Sequence, residues 1–74
     1  MEKKLIRTPV PSRDIAIVGY DPENLILEIT FRGGGVYQYA GVMESIYNNL
    51  MNAPSLGTYF NKNIKDSYQA TKIA

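Results

Sequence analysis

The chain reads as an α+β domain: a three-stranded antiparallel β-meander with two C-terminal α-helices packed on one face. Residues 25–31 alternate apolar and polar side chains as a half-buried strand does. Turn-forming residues flank that stretch, Asp21-Pro22-Glu23-Asn24 before it and Gly33-Gly34-Gly35 after it. Beyond Gly41 the apolar period changes from about 2 to about 3.6 residues, the change from strand to helix.

Each element can be justified in order. Residues 1–13 carry Pro9 and Pro11 and show no sustained period, so they read as an extended N-terminal arm, with residues 14–74 as the single domain. A short apolar run, 15–20, forms the first strand and turns at Asp21-Pro22, which suits a type I turn. In the second strand Leu25, Leu27, Ile29 and Phe31 share one face. The three glycines suit a three-residue hairpin loop. That loop pairs Arg32 with Val36, Phe31 with Tyr37 and Ile29 with Tyr39, so both tyrosines turn to the core side. Pairing Tyr20 with Leu25 puts Val18 and Tyr20 there too.

In the first helix, Met43, Ile46, Tyr47, Leu50 and Met51 fall within an arc of about 140°. Pro54 ends it, and Ser55 is a natural N-cap for the next. There Leu56, Phe60 and Ile64 stack, Tyr68 lies near that face, and Thr58, Asn61, Lys62 and Lys65 face water. Gly57 in the first turn costs about 1 kcal/mol relative to Ala, which a close backbone approach would justify. The core expected from these patterns is Val18, Leu27, Ile29, Phe31, Tyr37, Tyr39, Ile46, Leu50, Phe60 and Ile64.

Composition narrows the function classes. A chain of 74 residues makes one small domain with one thin core. It has no Cys, so neither a disulfide nor a thiolate metal site supports that core. No apolar run approaches the roughly 20 residues of a membrane span, and the start lacks the apolar segment of a signal peptide. The expected setting is cytoplasmic. Catalysis is poorly supplied: His and Cys are both absent, and no pair of acids shares a helix face. No acidic loop has the spacing of a metal site, and neither a cofactor nor a small-molecule substrate is evident. Net charge is only +1, well short of a strong nucleic-acid binder, although Lys and Arg gather toward both termini.

The residues Ser12, Ile15, Gly19-Tyr20-Asp21, Leu25, Leu27, Phe31, Gly35, Tyr37-x-Tyr39, Gly41-Val42, Tyr47, Leu50, Ala53, Ser55, Gly57, Phe60-Asn61, Ile64 and Tyr68 together resemble the KTSC domain. That family is named for its occurrence at the C-terminus of some lysyl-tRNA synthetases, and it also occurs as short bacterial proteins. The resemblance spans roughly residues 12–68. It implies no established activity, and its synthetase context implies RNA as the expected partner. One departure is Arg13, where the family often has a second Ser.

Two surfaces are candidates. Tyr37 and Tyr39 could stack bases, but the register favours core packing, with Gly57 and Phe60 as further structural motif residues. Ser55, Gly57 and Thr58 could hold an anion at the second helix's start, with Lys62, Lys65, Arg13 and Arg32 adding charge. The other surface is the sheet face opposite the helices, where Ile15, Ile17, Ile26 and Val36 stand among Glu28, Thr30, Arg32 and Gln38. Whether residues 1–13 cover that face is open. The expected function is therefore a non-catalytic binding module. One reading is a weak, phosphate-led RNA-binding accessory domain. The other is protein interaction or self-association through Ile17, Ile26 and Val36.

Overall fold

A computed structural model describes residues 5–74. The order of elements is β1 (Ile6–Pro9), β2 (Ile15–Asp21), β3 (Ile26–Phe31), β4 (Val36–Ala40), α1 (Glu44–Met51), α2 (Leu56–Asn63) and β5 (Ala70–Lys72). The strands form one antiparallel sheet in chain order, β1-β2-β3-β4-β5, and the helices cover one face. The α+β class and the two helices agree with the sequence. The strand count does not: among the described residues the sheet has five strands where three were expected.

Both extra strands lie at edges, where sequence patterns are weakest. In β1, Ile6 pairs with Tyr20 and Pro9 with Ile17, so the expected arm is an edge strand of the sheet. Pro9, its last residue, is tolerated because an edge strand has one free side. The first four residues of that arm lie outside the described residues. β5 is three exposed residues, too short to show alternation.

The hairpin pairings also differ from expectation, by two residues in each case. Tyr20 pairs with Leu27, and Ile29 with Tyr37. The Asp21 carboxylate accepts from the Glu23 amide (3.0 Å), the Asn24 amide (3.3 Å) and the Asn24 side chain (2.8 Å). The loop thus extends through Leu25, which closes it at φ 56°. In the second hairpin Gly34 and Gly35 take φ of 112° and 96°, and the Phe31 amide donates to the Gly35 carbonyl at 3.0 Å. A shift of two preserves the strand's alternation, so the expected faces survive the wrong partners.

A one-residue irregularity does change a face. Ile15 pairs with Phe31 but Ile17 with Thr30, leaving Ala16 as a bulge in β2. Ile15 thereby joins the core at 1% exposure, not the opposite face where strict alternation puts it. The core holds Val18, Leu27, Ile29, Tyr39, Leu50, Phe60 and Ile64 as expected, and also Val10, Ile15, Tyr20 and Val42. Phe31, Tyr37 and Ile46 pack against it while half-buried. Met43 is the N-cap of α1 and is exposed, so it does not belong to the helix's apolar face.

Aromatic rings tie the layers together. Phe60 of α2 meets Phe31 and Tyr39 edge-on at centroid distances of 5.7 and 5.5 Å. On α1, Tyr47 stacks on Tyr20 at 4.5 Å, and the Tyr20 hydroxyl donates to the Val42 carbonyl.

Candidate functional site

β1 ends at Pro9, Pro11 offers no amide to continue the ladder, and the chain loops through residues 10–14 before entering β2. Val10 anchors this loop in the core, and its amide donates to the Ala16 carbonyl at 3.0 Å. The Ser12 hydroxyl accepts from the Ile15 amide at 3.4 Å. Arg32, reaching back from the second hairpin, holds three of the loop's carbonyls. Its amide donates to Asp14 (2.9 Å), its Nε to Ser12 (2.7 Å) and its Nη2 to Val10 (2.8 Å). The loop is a fixed wall.

The facing wall is the start of α2. Pro54 breaks the chain away from α1, and Ser55 caps α2 as its sequence suggests: Oγ accepts from the Thr58 amide at 3.4 Å. The same hydroxyl donates to Thr58 Oγ1 at 2.9 Å. Gly57 turns toward the loop. A Cβ there would stand 3.6 Å from Ser12 Oγ and 3.9 Å from Asp14 Oδ2. The close approach expected from Gly57 exists, but at ordinary contact distance.

Between the walls is a cleft of about 640 Å³, lined by residues 8–14 on one side and by Met51, residues 53–58 and Asn61 on the other. That volume lies within the range of small-ligand sites. A shallower depression shares Ala53, Pro54, Ser55 and Thr58 with it and continues around α2 to Tyr59, Lys62 and Asn63.

The structure therefore brings together Arg13, Ser55, Gly57 and Thr58 in one opening, with Lys62 beside it. Lys65 is exposed and lines neither hollow. Arg32 stands behind the loop, with its hydrogen bonds directed to the loop's carbonyls. Sequence reading missed Asp14, whose carboxylate sits in the cleft against Gly57. No local signal could have found it, because the contact joins residues more than forty positions apart.

The Tyr-x-Tyr pair lies on the helix-covered face. Tyr39 is buried against Phe60, and Tyr37 meets Phe31 edge-on at 5.7 Å. Burial first, and the nearby charge of Tyr37 and Asp66 second, raise the pKa of the Tyr39 hydroxyl above its ordinary value. Tyr20 is raised likewise, by burial and then by Glu44, Asp21 and Tyr68. Neither tyrosine lines the cleft.

On the opposite sheet face Ile17, Ile26 and Val36 are half-buried. The centre of that face is polar. Glu28, only 3% exposed, accepts from Arg7 Nε (2.8 Å) and Nη2 (3.3 Å) and from Gln38 Nε2 (3.0 Å). This pairing raises the ionisation of Arg7. Gly19 leaves room for it: a Cβ there would stand 3.1 Å from Arg7 Cγ and 3.4 Å from Leu5 Cγ. The N-terminal segment thus leans over the middle of the face through Leu5 and Arg7. Among the described residues, no helix is long and apolar enough to cross a membrane.

Comparison with known proteins places this architecture. A KTSC domain protein from Yersinia pestis has a crystal structure that superposes with a TM-score of 0.93 at 45% identity, covering 96% of this chain and all of that one. An uncharacterized protein of Stutzerimonas stutzeri is 37% identical over 62 residues, 84% of this chain and 87% of its own length. A lysine–tRNA ligase of Nostoc punctiforme is 38% identical over 55 residues, which are 74% of this chain but only 10% of the ligase. The KTSC domain model itself matches residues 11–68, from the loop that walls the cleft to Tyr68 after α2. The chain belongs to the KTSC domain family.

Proposed function

We propose that the domain is a non-catalytic binding module whose site is the cleft between the residue 10–14 loop and the start of α2. Its ligand class is single-stranded RNA, held weakly through its phosphates. The observation that carries the reading is the convergence of Arg13, Ser55 and Thr58 on one opening, with Lys62 on the adjoining depression. Hydroxyls, first-turn amides and cationic side chains are the groups that hold phosphate oxygens. The match to a small part of a lysine–tRNA ligase is consistent with a module that works beside an RNA. Asp14, whose carboxylate lies against Gly57, opposes an anion there, which is one reason the expected contact is weak. With neither His nor Cys in the chain, no catalytic role is assigned. A cytoplasmic setting accompanies this reading.

A net charge of +1 limits the contact to a few phosphates. Titration of a short single-stranded RNA at several salt concentrations should therefore give a log–log slope of about −2 to −3. Arg13→Glu combined with Lys62→Glu should abolish the binding. Salt-independent binding, or unchanged affinity in that double variant, would defeat the reading.

A second reading, self-association through the sheet face opposite the helices, is favoured by one observation. Ile17 and Val36 are incompletely buried there, and Ile73, whose amide donates to the Val36 carbonyl at 2.8 Å, is 48% exposed.

A further inference from the structure

Arg32 follows β3 and lines neither hollow, although it is a cation beside the cleft's loop wall. Its bonds go to the loop's backbone. Nε and Nη2 form one edge of the planar guanidinium, and they donate side by side to the Ser12 carbonyl (2.7 Å) and the Val10 carbonyl (2.8 Å). The Arg32 amide donates to the Asp14 carbonyl at 2.9 Å. One residue thus holds every second carbonyl from 10 to 14 and turns all three oxygens toward itself.

Arg13 is the cation that this loop brings to the cleft, and it is exposed. Burial anchors the chain before it at Val10 and after it at Ile15. Between those anchors, Arg13 is bracketed by Ser12 and Asp14, and Arg32 holds the carbonyl of each. Pro11 has no amide with which to secure the loop. The Ser12 hydroxyl adds only a longer bond, accepting from the Ile15 amide at 3.4 Å. The path of the chain at Arg13 is therefore set from Arg32. Released from it, residues 11–14 would gain backbone freedom, and the loop would spend less time with Arg13 at the same opening as Ser55 and Thr58.

We infer that Arg32 is a positioning residue for the cleft, which strengthens phosphate binding through the geometry of its hydrogen bonds to the loop and not through its charge. The inference rests on the RNA reading above and adds that affinity depends on a residue outside the cleft.

Charge and geometry can be separated chemically. Arg32→Lys keeps the charge but replaces the planar fork with a compact ammonium. Citrulline at position 32, introduced by chemical synthesis, removes the charge but keeps Nε–H and a coplanar NH2. Because Arg32 is exposed, both variants should keep the circular dichroism spectrum of the wild type. The probe is a labelled uridine hexamer, titrated by fluorescence anisotropy at several salt concentrations. Arg32→Lys should weaken binding about tenfold, as expected when the loop holds its binding shape about one tenth of the time. Its log–log salt slope should match the wild type, since no phosphate contact is lost. The citrulline variant should bind with nearly the wild-type affinity. Hydrogen exchange reads the loop directly: the Val10 amide, bonded to the Ala16 carbonyl at 3.0 Å, should lose protection with lysine and keep it with citrulline. Weak binding by the citrulline variant would overturn the inference, because the charge would then be necessary. Wild-type affinity in Arg32→Lys would overturn it too, and in both cases the RNA reading would stand. Failure of the wild-type chain to bind the hexamer would overturn both.

Discussion

On the helix-covered face of the sheet, Leu27 and Ile29 of β3 are fully buried among aliphatic and aromatic side chains. One residue between them, and on the opposite face, Glu28 is almost equally buried, but against Arg7 and Gln38. The same strand therefore supports two kinds of interior. The first gains stability from removing apolar surface from water. The second exists because a charge is satisfied, and satisfaction there depends on the Arg7 side chain crossing Gly19 from the adjacent edge strand. An apolar core tolerates small shifts of its neighbours, whereas a buried carboxylate needs its donors in place.

That difference is broken most forcefully on the apolar side. Phe60→Ala removes a ring that contacts both Phe31 and Tyr39 and lies at 3% exposure. The expected loss is about 3–5 kcal/mol, a large part of the stability of so small a domain. Chemical denaturation should show it as a lower midpoint with little change in slope. An unchanged midpoint would mean that α2 docks through other residues.

On the polar side the sensitive point is a glycine. Gly19→Val places side-chain carbons where Arg7 and Leu5 now lie, so β1 must shift and the Arg7–Glu28 pair must stretch or break. Overpacking of this kind costs about 1–3 kcal/mol. Hydrogen exchange should distinguish it from a general loss of stability: the β1 amides paired with β2 should lose protection before those of β3 and β4. Uniform loss across the sheet would remove the distinction between the two faces.

A smaller effect separates the faces by pH. Burial raises the pKa of Tyr20 above the ordinary value of about 10, so the folded state holds the phenolic proton more firmly than the unfolded chain does. Stability from this source is complete below about pH 10 and falls as pH rises from there through the folded value. Tyr39 adds to the fall in the same direction. Tyr20→Phe forfeits the bond to the Val42 carbonyl, about 1 kcal/mol at neutral pH, but should flatten the alkaline decline. Melting curves between pH 8 and 11 provide the check; an equally steep decline in the variant would assign the effect elsewhere.

How far each region could be read from the sequence follows from the same physics. The apolar face was legible because alternation in β3 and the spacing of Leu56, Phe60 and Ile64 record it locally, and two-residue errors of register left it unchanged. The bulge at Ala16 was not legible, since one inserted residue leaves no mark on composition, and it carried Ile15 into the core from the face that strict alternation assigns. β1 and β5 were missed because an edge strand is selected for its partner more than for its own pattern. Half of the candidate site was visible in Ser55, Gly57 and Thr58, where a cap and a helix start announce themselves. Its other wall depends on Arg32 holding a loop some twenty residues upstream, a contact that no window of sequence contains.

The smallest expected effect on stability falls where the polar face gives way to its aliphatic rim. Val36 is half-buried beside Ile73, at the end of the sheet away from the Glu28 cluster's N-terminal cover. Val36→Lys exchanges a β-branched residue for a long one whose stem can lie along the strand while its ammonium reaches water. The cost to folding should be within about 1 kcal/mol, the span of strand preferences. Its effect on assembly is the sharper readout. If two copies join through this face, a lysine from each copy enters the same apolar contact, and sedimentation should change from dimer to monomer with the melting midpoint nearly unmoved. Ile26→Lys should do the same at another point of the face. A wild-type chain that sediments as a monomer at high concentration would end the self-association reading. The contrast between the faces would then be one of internal construction alone, an apolar core on one side and a satisfied charge on the other.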